Sequence, residues 1–567
     1  MKKFLYLFIL FIPFSFIAQK INNENLSPKV RLYWDAENKK LQATGSYFTS
    51  EIFPSTTEKH GKWLFYSYTG ILEEESYFFK NRMHGKQTLY FPDKKVKSIA
   101  FFEFNVPDSI YQEWNKDGKL IASGYYELGS PEGKWEYFYD NGYQKSVEEV
   151  INDTVYVRQH WENDSAKTQT IIDGNGYIQT FYINGSPKEY YTFINGLKTG
   201  PFAEYTAGGG VSVNGEFVAG KKNGVWEFFD VEGRLEKKVG YKNDSLNGEY
   251  LVLFEDGDTM TAGNYLNGFK TGKWFWKNAS GKLEMEGGFD NNEQHGAWTY
   301  YFTSGELSYK ANFQKGKKHG EWHYFYKNGT DYRKGNYQND LREGLWQTWY
   351  EDGTPLMEGE YKKGKEEGEW RNYWDNGVLK NKSTFKKGKL NGAWFSYTPQ
   401  KTMVLSGKYK NDLKVGEWRD YYNNGRLKEV NHYKVFKSKN KQNDVVIMGM
   451  KQLVSEPHGK YEAYSHLDYQ LKAKGAYKNG LKHGTWYDYY PGGVVPTVIT
   501  QYKNGKLHGV FKEFGRRGEL HSEIHYKDGL KDGWFIIYDR NGKISVRKMF
   551  SGGREMMRKG DGDLFAP

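Results

Sequence analysis

Aromatic runs alternate with polar, glycine-bearing turns through most of the chain, with a period of 24 residues. A glycine followed two residues later by an aromatic residue stands in register at Gly200, Gly224, Gly248, Gly272, Gly296, Gly320, Gly344, Gly368, Gly392 and Gly416. The same spacing fits Gly61, Gly85, Ser109 and Gly133, and it resumes at Gly459, Gly484, Gly509 and Gly533 with steps of 25, 25 and 24. Such a period predicts a repeat architecture in which each unit is one supersecondary element.

Each unit contains two aromatic or apolar runs separated by residues typical of tight turns. A second glycine follows the first by nine residues, often after Asn or Asp, as in Asn328-Gly329 and Asp352-Gly353. Asn-Gly and Asp-Gly pairs accept the positive φ of a hairpin turn. A helix is a poor alternative, because each glycine in a helix interior costs about 1 kcal/mol. Each unit is therefore predicted as strand, tight turn, strand, turn.

These short connections predict an all-β fold, an elongated repeat meander of antiparallel β-hairpins that form one open, twisted sheet. Aromatic residues two, five and six after the first glycine, such as Trp370, Tyr373 and Trp374, do not alternate cleanly. Either both faces of the sheet carry rings or a β-bulge intervenes. A thin sheet has little other core, so the tryptophans are expected mainly to bury one another. One open face would instead offer a groove for a peptide, glycan or lipid.

The regularity of the period divides the chain into eight segments. They are a signal peptide (1–18), an N-terminal cap (19–59), repeats (60–142), divergent hairpin repeats (143–199), regular 24-residue repeats (200–433), an irregular insertion (434–458), further repeats (459–544) and a C-terminal cap or tail (545–567). The insertion combines a basic loop with an apolar run. We interpret it as a divergent hairpin with a long turn, although binding residues are also frequent where a regular scaffold is interrupted.

The first eighteen residues have the pattern of a secretory signal peptide. Lys2 and Lys3 give a basic start, residues 4–16 are apolar apart from Pro13 and Ser15, and Ala18 is a small residue at a plausible cleavage point. A membrane anchor is the alternative, but a spanning helix needs about 20 apolar residues. We therefore expect export, to the periplasm, the cell surface or the medium.

Composition excludes several classes of protein and points away from catalysis. Aromatic residues make up 18% of the 567 residues, which excludes a disordered chain. The chain has no cysteine, so it has no disulfide, thiolate nucleophile or cysteine metal site. It also has no phosphate-binding glycine loop and no nucleophile-elbow motif. We expect no enzyme activity, and no catalytic, cofactor-binding or metal-binding residues.

Histidine recurs immediately before the first glycine of the unit, at His60, His84, His295, His319, His458, His483 and His508. Equivalent residues of adjacent units should lie about 9.6 Å apart, whereas zinc ligands lie only about 2 Å from the metal. A shared metal is therefore disfavoured, and capping of a turn is the favoured interpretation. His521 and His525 superficially resemble a zinc motif, but on a strand they lie about 13 Å apart.

Charged residues concentrate in the predicted turns. The acidic stretches 255–258 and 561–563 resemble fragments of a calcium loop without its final glutamate, and they are predicted to be solvated turns. Basic clusters recur between units, at 221–222, 315–318, 362–365 and 386–389. They could bind anionic lipid, acidic polysaccharide or nucleic acid, of which export makes nucleic acid the least favoured. Interspersed acids favour a role in solubility and in protecting the sheet edges.

The unit G-x-W-x-x-Y-x-x-x-G…G-x-Y-x-x-G, as in residues 320–329, resembles the MORN repeat over about Gly61 to Gly533. It is most similar to the bacterial MORN-variant repeats of the YwqK-type antitoxin family. The resemblance implies an elongated sheet of hairpins used for binding, with membrane lipid or protein as partner. Together with the leader, it predicts a non-catalytic exported scaffold that presents an extended β surface to protein or cell-envelope partners. The alternatives are a lipid- or glycan-binding surface protein and an antitoxin-like neutralising protein.

Overall fold

The computed structural model describes residues 25–52, 56–437 and 453–556. Within these ranges the chain consists of β-strands joined by turns and contains no helix, which confirms the all-β prediction. No helix in this part of the chain is long and apolar enough to cross a membrane. The predicted signal peptide, the centre of the 434–458 insertion and the acidic stretch 561–563 lie outside the described residues.

The strands belong to two compact units, of which the first ends at Thr271 and the second begins at Gly272. The first unit contains β1 (Val30–Tyr33), β2 (Leu41–Tyr47), β3 (Lys59–Tyr66), β4 (Leu72–Phe79), β5 (Arg82–Tyr90), β6 (Val96–Glu103), β7 (Val106–Pro107), β8 (Ser109–Trp114), β9 (Leu120–Glu127), β10 (Ser130–Phe138), β11 (Gln144–Ile151), β12 (Thr154–Trp161), β13 (Gln169–Ile172), β14 (Asn175–Phe181), β15 (Pro187–Ile194), β16 (Leu197–Tyr205), β17 (Val211–Val218), β18 (Lys221–Phe229), β19 (Leu235–Lys242), β20 (Ser245–Leu253) and β21 (Thr259–Leu266). The boundary falls within β22 (Phe269–Lys277).

The second unit continues the same succession of strands. It contains β23 (Leu283–Asp290), β24 (Glu293–Tyr301), β25 (Leu307–Gln314), β26 (Lys317–Lys318), β27 (Gly320–Phe325), β28 (Asp331–Gln338), β29 (Leu341–Trp349), β30 (Pro355–Lys362), β31 (Lys365–Tyr373), β32 (Leu379–Lys386), β33 (Lys389–Tyr397), β34 (Met403–Lys410), β35 (Leu413–Tyr421), β36 (Leu427–Lys437), β37 (Leu453–Tyr464), β38 (Leu471–Lys478), β39 (Leu481–Tyr489), β40 (Pro496–Lys503), β41 (Lys506–Phe514), β42 (Leu520–Lys527), β43 (Leu530–Tyr538), β44 (Ile544–Ser551) and β45 (Arg554–Glu555).

Within each unit the chain forms an antiparallel meander, as in the successive pairings of β28, β29, β30 and β31. The segments that depart from the sequence period are also built of paired strands. In the N-terminal segment β1 pairs with β2 and β2 with β3, and β44 of the C-terminal segment pairs with β43. At the insertion, β36 and β37 are lengthened and pair from Tyr433 opposite Pro457 to Lys437 opposite Leu453.

A β-bulge at the first glycine explains the irregular spacing of the aromatic residues. In the pairing of β30 with β31, residues 368–370 together lie opposite the single residue Gly359. Gly368 has a φ of +69°, which glycine adopts without steric strain. After the bulge, Trp370 and Tyr373 are three residues apart along a strand and so lie on opposite faces. Both alternatives raised by the sequence are therefore present, the bulge and the rings on both faces.

The tryptophan after each bulge packs flat on a small residue of the preceding strand. The side chains of Trp298 and Trp346 are each 2% exposed. A Cβ atom built on Gly287 or Gly335 would lie only 2.1 or 2.2 Å from the respective indole ring. The indole N–H of Trp346 donates a hydrogen bond to the carbonyl oxygen of Asn336 at 3.1 Å. The third glycine of the sequence motif therefore forms the surface on which the ring lies.

Aromatic rings from the second strand of each repeat fill the gaps between successive tryptophans. The centroids of Tyr337 and Trp346 are 5.1 Å apart with an interplanar angle of 86°, and those of Tyr361 and Trp370 are 5.0 Å apart at 90°. Edge-to-face contacts of this kind stabilise aromatic cores. The buried tryptophans on this face are Trp63, Trp135, Trp226, Trp274, Trp298, Trp322, Trp346, Trp370, Trp418 and Trp486. We call this surface the tryptophan face, and it confirms the structural role predicted for these rings.

In several repeats a smaller ring on the tryptophan face lies opposite a larger residue of the preceding strand. Trp394 lies opposite Ser383, which is 2% exposed. Tyr250, which stands where most units have tryptophan, lies opposite the larger Val239. The phenyl ring of Phe535, which is smaller still, lies opposite Ile524. Protein interiors are packed so closely that one extra methyl group changes stability. The ring and the residue opposite it are therefore expected to tolerate substitution only as a pair.

Backbone hydrogen bonds connect each turn between repeats to the corresponding turn of the preceding repeat. The N–H of Gly364 donates to the carbonyl oxygen of Arg342, and the N–H of Gly388 donates to that of Glu366, each at 2.9 Å. On the hairpin-turn edge, the hydroxyl of Tyr326 donates to the carbonyl oxygen of Trp349 at 2.9 Å. Both edges of the meander are therefore fixed laterally as well as by the strand ladders.

A buried histidine occupies the core of the divergent segment. His160 is 6% exposed, lies opposite Ile171, and has its Nδ1 atom 2.7 Å from Oγ1 of Thr170. Burial, with a smaller contribution from Lys145, lowers the pKa of His160 to about 4. The neutral imidazole is therefore the form that the folded chain favours.

Acidification between about pH 6.5 and pH 4 is expected to destabilise the fold through His160. Because the pKa is lowered in the folded state, the unfolded chain takes up the proton first, and the stability present above the unfolded pKa is lost as the pH falls through this window. We expect His160 to lower the free energy of unfolding by roughly 2 kcal/mol over this range. Urea unfolding at about pH 7 and at about pH 4.5 measures this change in the free energy of unfolding. The loss should shrink in His160→Gln but persist in the control His466→Gln, whose parent side chain is exposed; equal losses in both variants would contradict this assignment.

Candidate functional site

The face opposite the tryptophans carries a second row of aromatic side chains, five residues after the first glycine of most repeats. Its members are Tyr66, Tyr90, Trp114, Phe138, Tyr205 and Phe229 in the first unit, and Tyr301, Phe325, Trp349, Tyr373, Tyr397, Tyr421, Tyr464, Tyr489, Phe514 and Tyr538 in the second. All of them are partly exposed. Because each repeat adds two strands, neighbouring members lie about 10 Å apart. We call this the open-face aromatic row.

Charged side chains flank the open-face aromatic row. Glu358 accepts hydrogen bonds from the hydroxyl of Tyr373 at 2.9 Å and from Nη1 of Arg371 at 3.0 Å. Burial favours the neutral form of Glu358, but these two hydrogen bonds, one from Gln347 and the positive charge of Arg371 together hold its pKa below the usual value. Glu286 pairs with Lys273 at 2.8 Å. The open face therefore alternates aromatic rings with ionised side chains, a surface suited to contact with another polar macromolecule.

Basic residues of the turns between repeats lie over the rings of the tryptophan face. The guanidinium carbon of Arg342 is 4.8 Å from the ring centroid of Trp346 and 5.1 Å from that of Tyr361. Nζ of Lys414 is 4.2 Å from the ring centroid of Trp418. A cation also lies over two or more rings at Lys59, Lys222, Lys318, Lys482 and Lys531. Each such contact contributes about 0.5–1 kcal/mol at exposed sites.

These contacts change the interpretation of the basic clusters. Lys222 and Lys318 belong to the clusters that the sequence offered as a binding stripe, but both cover aromatic rings of their own chain. The signal was present in the sequence as a basic residue two positions before the first glycine, with the tryptophan two positions after it. Along the chain, that spacing alone does not show that the cation folds back over the ring.

Histidines before the first glycine cap turns. Nδ1 of His508 accepts a hydrogen bond from the backbone N–H of Asp528 at 3.4 Å, and His483 does the same for Asn504 at 3.5 Å. Corresponding bonds are made by His60 and His458. The turn-capping prediction is confirmed for these four. Nδ1 of His84 and of His319 is buried without a hydrogen-bond partner.

The remaining candidate residues form local contacts. His521 lies 3.7 Å from Glu519, and His525 lies 3.0 Å from Glu523, so the two histidines do not converge on one site. In the acidic stretch 255–258, the carboxylate of Asp256 accepts the backbone N–H of Asp258 within the turn. Among the described residues, no three His, Asp or Glu side chains form a group that could hold a metal ion.

These features define a class of protein, a β-hairpin repeat protein with one closed aromatic face and one open face. The family model of the MORN repeat variant matches residues 59–81, 83–103, 294–315, 342–363, 366–387, 414–434 and 507–528. The chain is a MORN-repeat protein. No curated protein matches it.

Two solved structures to which the chain is similar are much larger chains. The crystal structure of TcdB2-TccC3-Cdc42 matches at 10% sequence identity, over 90% of this chain and 29% of that chain, with a TM-score of 0.13. The crystal structure of TcdB2-TccC3-TEV matches at 11% identity, over 92% of this chain and 28% of that chain, with a TM-score of 0.12. The present chain thus spans less than a third of the length of either structure.

Proposed function

We propose that this MORN-repeat protein is an exported, non-catalytic scaffold whose open face binds a protein or another component of the cell envelope. The observation that carries the proposal is the open-face aromatic row, in which partly exposed rings recur beside ion pairs while the tryptophan face is closed. Aromatic residues and arginine are enriched at protein interfaces and dominate their binding energy. The seven MORN-variant matches support a role for the repeats as a scaffold.

The spacing of the row favours an extended partner. Ten members in the second unit, at steps of about 10 Å, offer contacts distributed over several repeats. A partner that contacts several of them at once gains affinity through effective concentration, even where each single contact is weak. A small substrate would contact only one or two members.

Export is the second part of the proposal. It is supported by the basic start, the apolar run and Ala18 in the first eighteen residues, which lie outside the described part of the chain. The absence of cysteine suits a protein that must keep its fold in either redox environment. An envelope partner is therefore favoured over a cytoplasmic one.

Site-specific photo-crosslinking in intact cells tests the proposal. A photoreactive phenylalanine analogue at Tyr397, in the open-face aromatic row, is expected to give a discrete crosslinked species that fractionates with the envelope. The matched control carries the analogue at Lys327, an exposed residue of a hairpin turn, and should give none. Adding Phe325→Ala and Tyr373→Ala to the Tyr397 probe should reduce the yield at least fivefold.

Two results would contradict the proposal. One is a crosslinked species of equal yield from the Lys327 probe, because the contact would then not depend on the open face. The other is a protein recovered only with cytoplasm and without a discrete crosslink. Circular dichroism of each variant, with its β spectrum unchanged, ensures that loss of the crosslink reflects loss of contact.

A further inference from the structure

A cleft lies on the hairpin-turn edge of the second unit, close to the interruption of the repeat. It consists of two cavities of about 420 and 250 Å³ that share Tyr421. The larger cavity is formed by the turn at 422–426 and by the turn at 465–470, which is one residue longer. The smaller cavity lies on the open face beside Arg419.

The longer turn places a tyrosine ring at the wall of the cleft. Tyr469 has a φ of +58°, at the position where other hairpin turns have a glycine such as Gly425. The ring is held by Tyr422 at 5.9 Å between centroids and by Asn424, whose Nδ2 donates to its hydroxyl at 2.6 Å. The guanidinium of Arg426 lies 4.5 Å from the ring centroid. A bulky residue in this left-handed conformation costs about 1–3 kcal/mol.

The polar groups of the larger cavity are mainly free donors. The side chains of Asn423, Lys428 and His466 line it, and none of these three forms a hydrogen bond or ion pair within the described chain. No carboxylate lines this cavity. The smaller cavity has two carboxylates: Glu417 is paired with Arg419 at 2.6 Å, and Glu462 accepts a hydrogen bond from the hydroxyl of Tyr464 at 3.0 Å. The larger cavity therefore offers a positive charge and unused hydrogen-bond donors beside tyrosine rings.

We propose that the larger cavity of this cleft binds an anionic saccharide. The faces of the tyrosine rings suit the apolar C–H faces of a sugar ring, while Asn423 and the tyrosine hydroxyls suit its hydroxyl groups. Lys428 supplies the charge that holds a carboxylate, sulfate or phosphate substituent. An apolar peptide would leave these donors without partners after burial, which is unfavourable. The inference deepens the proposed function by naming one envelope ligand class, but its site is separate from Tyr397 and the other residues probed above.

Calorimetric titration of the full chain tests the inference. The probes are tetragalacturonate, its methyl ester and a sulfated tetrasaccharide. At least one anionic probe is expected to bind, with the uncharged methyl ester at least tenfold weaker; comparison of the two anions shows whether the site prefers carboxylate or sulfate. Tyr469→Gly and Lys428→Gln should each weaken binding at least tenfold. The matched control is Lys401→Gly, at the same repeat position with a φ of +68°, and it should bind like the wild type.

Several results would overturn the inference. They are no binding of either anionic probe, equal binding of the methyl ester, or unchanged binding by Tyr469→Gly. That variant restores the residue usual in this turn and relieves its backbone strain, so it is expected to fold. Absence of saccharide binding by the wild-type chain, together with a crosslink from Tyr397, would refute the cleft alone. Saccharide binding without a crosslink from Tyr397 would refute the open-face partner alone.

Discussion

Replacing Trp346 with alanine is expected to lower the free energy of unfolding of the second unit by about 3–5 kcal/mol. The indole is 2% exposed, packs on Gly335, and contacts the rings of Tyr337 and Tyr361. Its loss leaves a cavity that a sheet fixed at both edges cannot close. Arg342 also loses the ring over which it lies. Urea unfolding measures the total effect.

Hydrogen exchange locates the effect along the chain. Each repeat contacts mainly its neighbours, so the largest loss of protection is expected in β28 to β31. The control is Leu345→Ala, because Leu345 adjoins Trp346 in sequence and is 48% exposed. It should change the free energy of unfolding by less than about 0.5 kcal/mol. Similar losses in the two variants would show that the tryptophan face is not the main core.

Gly359→Val is the second substitution with a large expected effect, a loss of about 3 kcal/mol. A Cβ atom on Gly359 would lie 2.1 Å from the indole of Trp370, which is backed by neighbouring rings and has no room to move. The backbone of Gly359 does not require glycine, because its φ is not in the left-handed region. The effect is therefore one of side-chain volume.

A double substitution tests that explanation. Val239 opposite Tyr250 is a natural pair at the same repeat position. Adding Trp370→Tyr to Gly359→Val should therefore recover at least half of the lost stability, although Trp370→Tyr alone is expected to be destabilising. Urea unfolding of the four proteins gives the coupling energy. Additive losses would mean that the glycine is needed for some reason other than the ring above it.

Turn chemistry and period could be predicted from the sequence because they are local. Asn328-Gly329 predicted a hairpin turn, and Gly329 has a φ of +86° with its N–H donating to the carbonyl oxygen of Tyr326 at 3.0 Å. The capping histidines were predicted from their position alone, since a polar side chain before the bulge glycine has few partners other than the adjacent turn. These features depend on residues within about one repeat of one another.

Features that depend on which side chains face each other could not be predicted. The bulge changes the side of the sheet on which the following residues lie, so the spacing of aromatic residues alone did not separate the tryptophan face from the open-face aromatic row. The glycine beneath each tryptophan was visible in the motif, but its partner belongs to the next repeat. The cleft required Tyr422 and Tyr469 to meet across the insertion, whose effect on strand pairing the period did not specify.

The size-matched pairs also bear on how a chain of equal units finds its alignment during folding. A strand could pair with the wrong repeat and loop out 24 residues without violating the hydrogen-bond pattern. Val239 leaves room for the phenol ring of Tyr250 but not for an indole ring. A slip that placed a tryptophan of another repeat opposite Val239 would therefore produce a steric clash. Repeats that depart from the consensus sequence can therefore pair well only with their correct neighbours. This disfavours misaligned intermediates, which are prone to aggregate.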